Sequence, residues 1–187
     1  MIKLYPMIEF GTENDIKSII NLAEENLKER FSEQYRKEHG YITYHPAFEE
    51  LKKMIDSTGI IVAYYENVLA GYILTMSREV AIKISLYNSL IENLGSFQHN
   101  GKAITDYNYM ILGQVCISKN HRGKNVLQEM FSFGKNHWAE NYEIGLGEID
   151  KLNSLSYNAT INKLGAIDIG SYFSGQVNWR VFLSDFR

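Results

Sequence analysis

The stretch from Tyr109 to Asn141 constrains the fold more than any other, because the apolar residues change their period inside it. Val115 and Ile117 alternate with Gln114, Cys116 and Ser118, the period of two that belongs to a strand. From Val126 onward the apolar positions Val126, Leu127, Met130, Phe131, Gly134 and Trp138 take helical spacing. Between the two lies a short basic loop, Lys119-Asn120-His121-Arg122-Gly123-Lys124-Asn125, with one glycine. Where a strand feeds a helix in this way, the first N–H groups of the helix lack intrahelical partners and the helix dipole favours negative charge. With Arg122 and Lys124 beside them, the expected ligand is a phosphate or pyrophosphate held largely by main chain. An ordinary turn with solvated basic side chains has the same outline in sequence. The loop lacks the two glycines and Lys-Ser/Thr pair of a phosphate-binding Walker loop, and it lacks GxGxxG.

Length and charge narrow the remaining choices. A chain of 187 residues, 45% hydrophobic and 22% charged, has the size of one domain with a substantial core. A net charge of −3 argues against a nucleic-acid-binding protein, which usually carries a strong basic excess. No run approaches the roughly 18 apolar residues of a membrane span, and the first ten residues carry no signal-peptide core, so no membrane and a cytoplasmic location are expected. The single cysteine, Cys116, excludes an intramolecular disulfide and reads as a buried, inert thiol. The five histidines have no metal-ligand spacing, so no metal is expected.

Taken in order, Ile2 to Phe10 reads as a first strand, with Pro6 suggesting an edge. Thr12 and Asp15 resemble a capping box ahead of a helix with Ile16, Ile19, Ile20, Ala23 and Leu27 on one stripe. Phe31 to His45 is polar and aromatic without a clear period. Pro46 suits the first turn of a helix carrying Phe48, Leu51, Met54 and Ile55. Ile60 to Tyr65 and Val68 to Met76 form an expected hairpin around Glu66-Asn67. Ser77 to Asn108 follows, with Val80, Ile84, Leu86, Leu90, Ile91 and Leu94 compatible with a helix. After the Tyr109 strand and its helix come a strand at Glu143 to Asp150, a helix at Asn153 to Leu164, and a closing pair at Ala166 to Ser174 and Asn178 to Ser184. The pattern describes a mixed α/β sheet, parallel only in its middle.

Two linked motifs resemble those of the GNAT N-acetyltransferase superfamily. Its pyrophosphate loop, Gln/Arg-x-x-Gly-x-Gly/Ala, is matched by Arg122, Gly123 and Lys124, with Asn120 and Asn125 departing from it. Its second signature is matched by Asn153-Ser154-Leu155-Ser156 and Lys163-Leu164-Gly165-Ala166. A wider similarity to bacterial GNAT proteins is carried by Gly71 to Met76, Gly113-Gln114-Val115, Glu148-Ile149 and Trp179 to Asp185, so the resemblance covers about residues 60 to 187. It implies a GNAT-like acyl-CoA N-acyltransferase fold: one domain, an α/β (α+β) mixed sheet of about seven strands flanked by helices. Ser77 to Asn108 would be an extra helical insertion between strands 3 and 4, covering the acceptor site or a dimer face.

The implied activity is direct transfer of acetyl from the co-substrate acetyl-CoA to a primary amine of a small molecule or protein. A catalytically inactive acyl-CoA-binding module of the same fold is the alternative, and a homodimer stays open. For the coenzyme, Gln114, Val115, Cys116 and Ile117 would line one side of a slot. Asn153 and Ser156 would approach from the other, and Arg122, Gly123, Lys124, Asn125 and Val126 would hold the phosphates. As base, Glu148 comes first and Asp106 second; Glu148 equally suits a structural anchor. The spacing from Asn153 to Gly165 is one residue longer than usual and places Ile161 where the family has a tyrosine acid. Tyr157, one turn earlier on the same face, is the substitute, or simply a packing residue.

Overall fold

The computed structural model describes residues 5–187. Seven strands form one sheet: β1 (Met7–Phe10), β2 (Ile61–Tyr65), β3 (Val68–Ser77), β4 (Tyr109–Ile117), β5 (Ile144–Asp150), β6 (Ile167–Ser174) and β7 (Val177–Asp185). Their spatial order is β1-β2-β3-β4-β5-β7-β6, and every neighbouring pair is antiparallel except β4 with β5. The first strand was expected from Ile2; residues 1–4 lie outside the described residues.

The sheet separates two apolar layers. One face packs against α1 (Ile16–Glu25), α3 (Phe48–Ser57) and the segment after β3, through Ile19, Leu51, Met54, Tyr72, Leu90 and Leu146. The other face packs against α6 (Val126–Trp138) and α7 (Ser154–Asn158), through Ile73, Met110, Val126, Met130, Trp138 and Phe182. Alternation along β4 is as the sequence requires, with Cys116 in the first layer and Val115 and Ile117 against the second. The β2–β3 turn also forms as expected: Glu66 and Asn67 both take positive φ (48° and 66°), the backbone a two-residue hairpin demands.

Three elements differ from expectation. Phe31 to His45 is not irregular throughout, because α2 (Glu33–His39) forms in it. Its cues are local: the Ser32 side chain accepts the Tyr35 N–H at 3.3 Å, Lys37 pairs with Glu33 at 2.7 Å, and Phe31, Tyr35 and His39 stack at four-residue steps. A helix with no side buried has no apolar stripe to read. The apolar run from Val80 to Leu94 is not one helix but α4 (Arg78–Ala81) and α5 (Asn88–Asn93), joined by a 3-10 turn at Ser85–Tyr87. The expected helix from Asn153 to Leu164 begins as α7 and widens into a π turn over Ala159–Lys163. A π turn holds one residue more than an α turn, which is where the extra residue between Asn153 and Gly165 is absorbed.

Candidate functional site

The cleft exists because two parallel strands part. β4 and β5 pair only at Tyr109/Ile144, Met110/Gly145 and Ile111/Leu146, and beyond that point their facing edges diverge. Gly147 sits at the divergence, where a Cβ would stand 2.3 Å from Phe182 Cζ and 2.5 Å from the Leu112 carbonyl oxygen. The Phe182 ring of β7 therefore fills the space beside the gap, and a side chain on Gly147 would not fit. On the other edge of β4 the register with β3 slips: Ile73 faces Val115 and Thr75 faces Leu112, leaving Gly113 and Gln114 opposite Leu74 alone. Such a bulge turns main-chain groups out of the ladder.

The resulting cleft, about 380 Å³, runs through the sheet from one layer to the other. At one end is the N-terminus of α6. Gly123 (φ 76°) and Asn125 (φ 62°) are both left-handed, Asn125 makes no side-chain cap, and the first bond into the helix runs from Glu129 N–H to the Asn125 carbonyl at 3.1 Å. The N–H groups of Val126, Leu127 and Gln128 consequently have no i−4 carbonyl to meet. These amides and the N-terminal dipole of a 13-residue helix suit an anion.

Of the expected coenzyme residues, Gln114, Val115, Cys116 and Ile117 line one wall and Asn153 and Ser156 the other. Arg122, Gly123, Asn125 and Val126 line the phosphate end, whereas Lys124 does not; its ammonium lies 5.8 Å over the Tyr65 ring. Three of these side chains are committed elsewhere, and Gln114 is the first, donating to the Tyr72 hydroxyl at 2.7 Å. Arg122 donates to the carbonyls of Ile117 (3.1 Å) and His39 (2.9 Å) and to Asn26 Oδ1 (2.7 Å), leaving two guanidinium N–H groups for a ligand. Asn153 caps α7 by accepting from Ser156 N–H and donates to the Tyr41 carbonyl at 2.8 Å. Arg122 and Asn153 thus tie down the segment from His39 to Thr43, which crosses the cleft. The Cys116 thiol is buried and pushed up to about 12, chiefly by loss of water.

Of the expected catalytic residues, Glu148 alone lines the cleft. It accepts the Tyr172 hydroxyl, and burial pushes its carboxyl up to about 7 although that hydrogen bond works in the opposite direction. Asp106 is exposed on a 3-10 turn and is not part of the cleft wall. Tyr157 also faces away: its hydroxyl donates to Asp168 Oδ2 at 2.7 Å, and Arg180 lies over its ring at 4.9 Å. Ile161 packs against the second apolar layer.

Most of the groups opposite Glu148 come from two segments that the sequence marks without fixing the residues, the aromatic stretch Phe31 to His45 and the insertion Ser77 to Asn108 expected to cover the acceptor site or a dimer face. Tyr41, Tyr44, Leu86, Tyr87 and Trp179 line that end, Leu86 and Tyr87 coming from the segment after β3. Asp150, only 4% exposed, accepts the Tyr41 hydroxyl (2.8 Å), the Lys28 ammonium (3.2 Å) and the Leu152 N–H (3.0 Å). Tyr41 and Tyr87 are held well above the usual tyrosine range, first by burial, and so stay protonated. Their exact positions depend on long-range packing, which local sequence pattern does not encode.

A mixed seven-stranded sheet with one splayed parallel pair, a bulge in β4 and a helix N-terminus at the splay defines the architecture. Solved structures share it over nearly the whole chain. A putative acetyltransferase from Salmonella typhimurium, solved with its cofactor acetyl-CoA, superposes with a TM-score of 0.61 at 11% identity over 97% of this chain and 94% of that one. The chain has the GNAT fold. A GNAT-family acetyltransferase from Streptococcus agalactiae gives 0.60 at 22% identity over 98% of both chains. Another from Listeria monocytogenes gives 0.61 at 14% identity over 97% and 95%. No protein-family model and no curated protein matches the sequence, so the GNAT fold is carried by backbone geometry far more than by residue identity. No described helix is long and apolar enough to cross a membrane.

Proposed function

We propose that the protein is an acetyl-CoA-dependent N-acetyltransferase acting on a primary amine. The observation that carries this reading is the through-sheet cleft, with unbonded amides of α6 at one end and the desolvated Glu148 carboxyl at the other. The fit to an acyl-CoA is one of donor chemistry. The main chain of Gly123, Asn125 and Val126, with the two spare N–H groups of Arg122, suits a diphosphate; charge-assisted bonds of that kind contribute about 1.5–3 kcal/mol each. The unpaired edge of β4 along Gln114 to Ile117 suits the amides of a pantetheine arm as a further strand would, and Asn153 and Ser156 form the opposite wall.

Acetyl-CoA would supply the acyl group, with the thiolate as leaving group. The residues of this chain would hold the two substrates together, which supplies much of such a rate, and main-chain N–H groups at the β4 bulge would stabilise a developing oxyanion. Glu148 takes the proton from the acceptor nitrogen, directly or through water. With a carboxyl near 7, activity should rise with pH through that region as Glu148 ionises.

Incubation with acetyl-CoA and a panel of amines, followed by thiol release, tests the proposal: release must require both substrates. A second reading has one observation in its favour, since α7 aims no tyrosine into the cleft. Tight acetyl-CoA binding with no release for any amine would favour a binding module of the same fold.

A further inference from the structure

Glu148 faces an unusual set of side chains. Tyr41, Tyr44, Tyr87 and Trp179 supply four aromatic rings to this end of the cleft, with Leu86 beside them. Two of the four spend their hydroxyls on neighbours, Tyr41 donating to Asp150 and Tyr44 to Glu50, while Glu148 accepts from Tyr172 and Gln114 donates to Tyr72 at 2.7 Å. Besides the Tyr87 hydroxyl and the Trp179 N–H, these four residues offer ring surface. The carboxylates that line it are Glu148 and Asp150, and Asp150 is already satisfied by Lys28, Tyr41 and a main-chain N–H. One carboxyl is therefore left to receive one nitrogen.

Space is limited as well. The cleft of about 380 Å³ reaches from the α6 N-terminus to Glu148, so the acceptor shares it with the pantetheine arm. Leu86 and Tyr87, from the turn between α4 and α5, line it, with the Tyr87 hydroxyl so near the bulge that a Cβ on Gly113 would stand 2.6 Å from it.

Resting on the acetyltransferase reading, we infer that the acceptor is a small monoamine carried on a flat, apolar, ring-sized body, and that Leu86 and Tyr87 set the upper limit on its size. Ring faces accommodate such a body by burial and attract its ammonium before the proton is lost. A polyamine would bring a second cation with no carboxylate to meet it. An aminoglycoside would bring many hydroxyls to an aromatic end with few open hydrogen-bonding groups, which a buried site disfavours.

The test uses the full chain saturated with acetyl-CoA, saturation being verified by calorimetry. Initial rates of thiol release are compared for phenethylamine, spermidine, kanamycin and a lysine-containing peptide. Phenethylamine is expected to exceed each of the others at least tenfold in kcat/KM. Leu86→Ala and, if it folds, Tyr87→Ala should shift preference toward amines with two fused rings while acetyl-CoA affinity stays within twofold. Spermidine, kanamycin or the peptide reacting as well as phenethylamine would overturn the inference. So would acetyl-CoA binding with no measurable phenethylamine binding or turnover. Failure to bind acetyl-CoA at all would instead overturn the acetyltransferase reading, and this inference with it.

Discussion

Replacing Glu148 with glutamine keeps the shape of the side chain and its acceptor for Tyr172 while removing the charge. The carboxyl titrates ordinarily at 4.5 and here at about 7, chiefly because burial removes its water. At 1.36 kcal/mol per pH unit, the difference of 7 − 4.5 corresponds to roughly 3 kcal/mol at most. The direction follows from proton counting. Between these two pH values the folded chain still holds the proton and the unfolded chain has released it, so stability falls as pH rises and levels off above about 7. Glutamine has no such proton. Urea denaturation of both proteins at pH 5, 6, 7 and 8 should show Glu148→Gln gaining on the wild type by up to about 2.5 kcal/mol across this window. In the thiol-release assay the same variant should lose roughly 10²–10⁴-fold in rate, the usual contribution of a general base. A stability difference that does not change with pH would refute the placement of an ionisable, desolvated carboxyl in the cleft.

Other substitutions probe the parts that shape the cleft. Gly147→Ala should cost about 1–3 kcal/mol in denaturation experiments, since its Cβ would meet both the Phe182 ring and the Leu112 carbonyl; unchanged stability would mean that β4 and β5 part more freely than described. Arg122→Ala should cost about 1–3 kcal/mol, because it strands Asn26 and two carbonyls, and amide hydrogen exchange should quicken around Tyr41; lost acetyl-CoA affinity at unchanged stability would assign the guanidinium to the ligand instead. Cys116, buried with its thiol pushed up to about 12, should resist alkylation at pH 8 in the native protein and react on unfolding; rapid native labelling would contradict that burial.

The parts of the molecule legible in sequence were those set by local period and turn chemistry. The change from period two to helical spacing at Ser118 to Val126 located β4, the loop and α6, and Glu66-Asn67 located the β2–β3 hairpin. The slot was legible only through the family resemblance, since its physical cause, Gly147 admitting Phe182 and the Leu112 carbonyl, joins residues 35 positions apart. Side-chain direction was not legible. Arg122 reads as a phosphate ligand from its loop, yet its guanidinium turns back to the ends of α1 and α2 because unsatisfied carbonyls there need donors. Tyr157 shares a helical face with Ile161 by spacing, yet it binds Asp168, and the π turn that follows it resets the register on which the counting relied. The wall made by Leu86 and Tyr87 lay in a segment whose apolar run suggested one helix; a 3-10 turn breaks it and brings both residues to the cleft.

Amide-resolved NMR of the ¹⁵N-labelled protein titrated with acetyl-CoA reports directly on the main chain of the α6 N-terminus. Saturable shifts should be largest at Gly123, Asn125, Val126, Leu127 and Gln128, with a second group along Gln114 to Ile117. No shifts up to millimolar acetyl-CoA, or shifts confined to other surfaces, would contradict a diphosphate held where α6 begins.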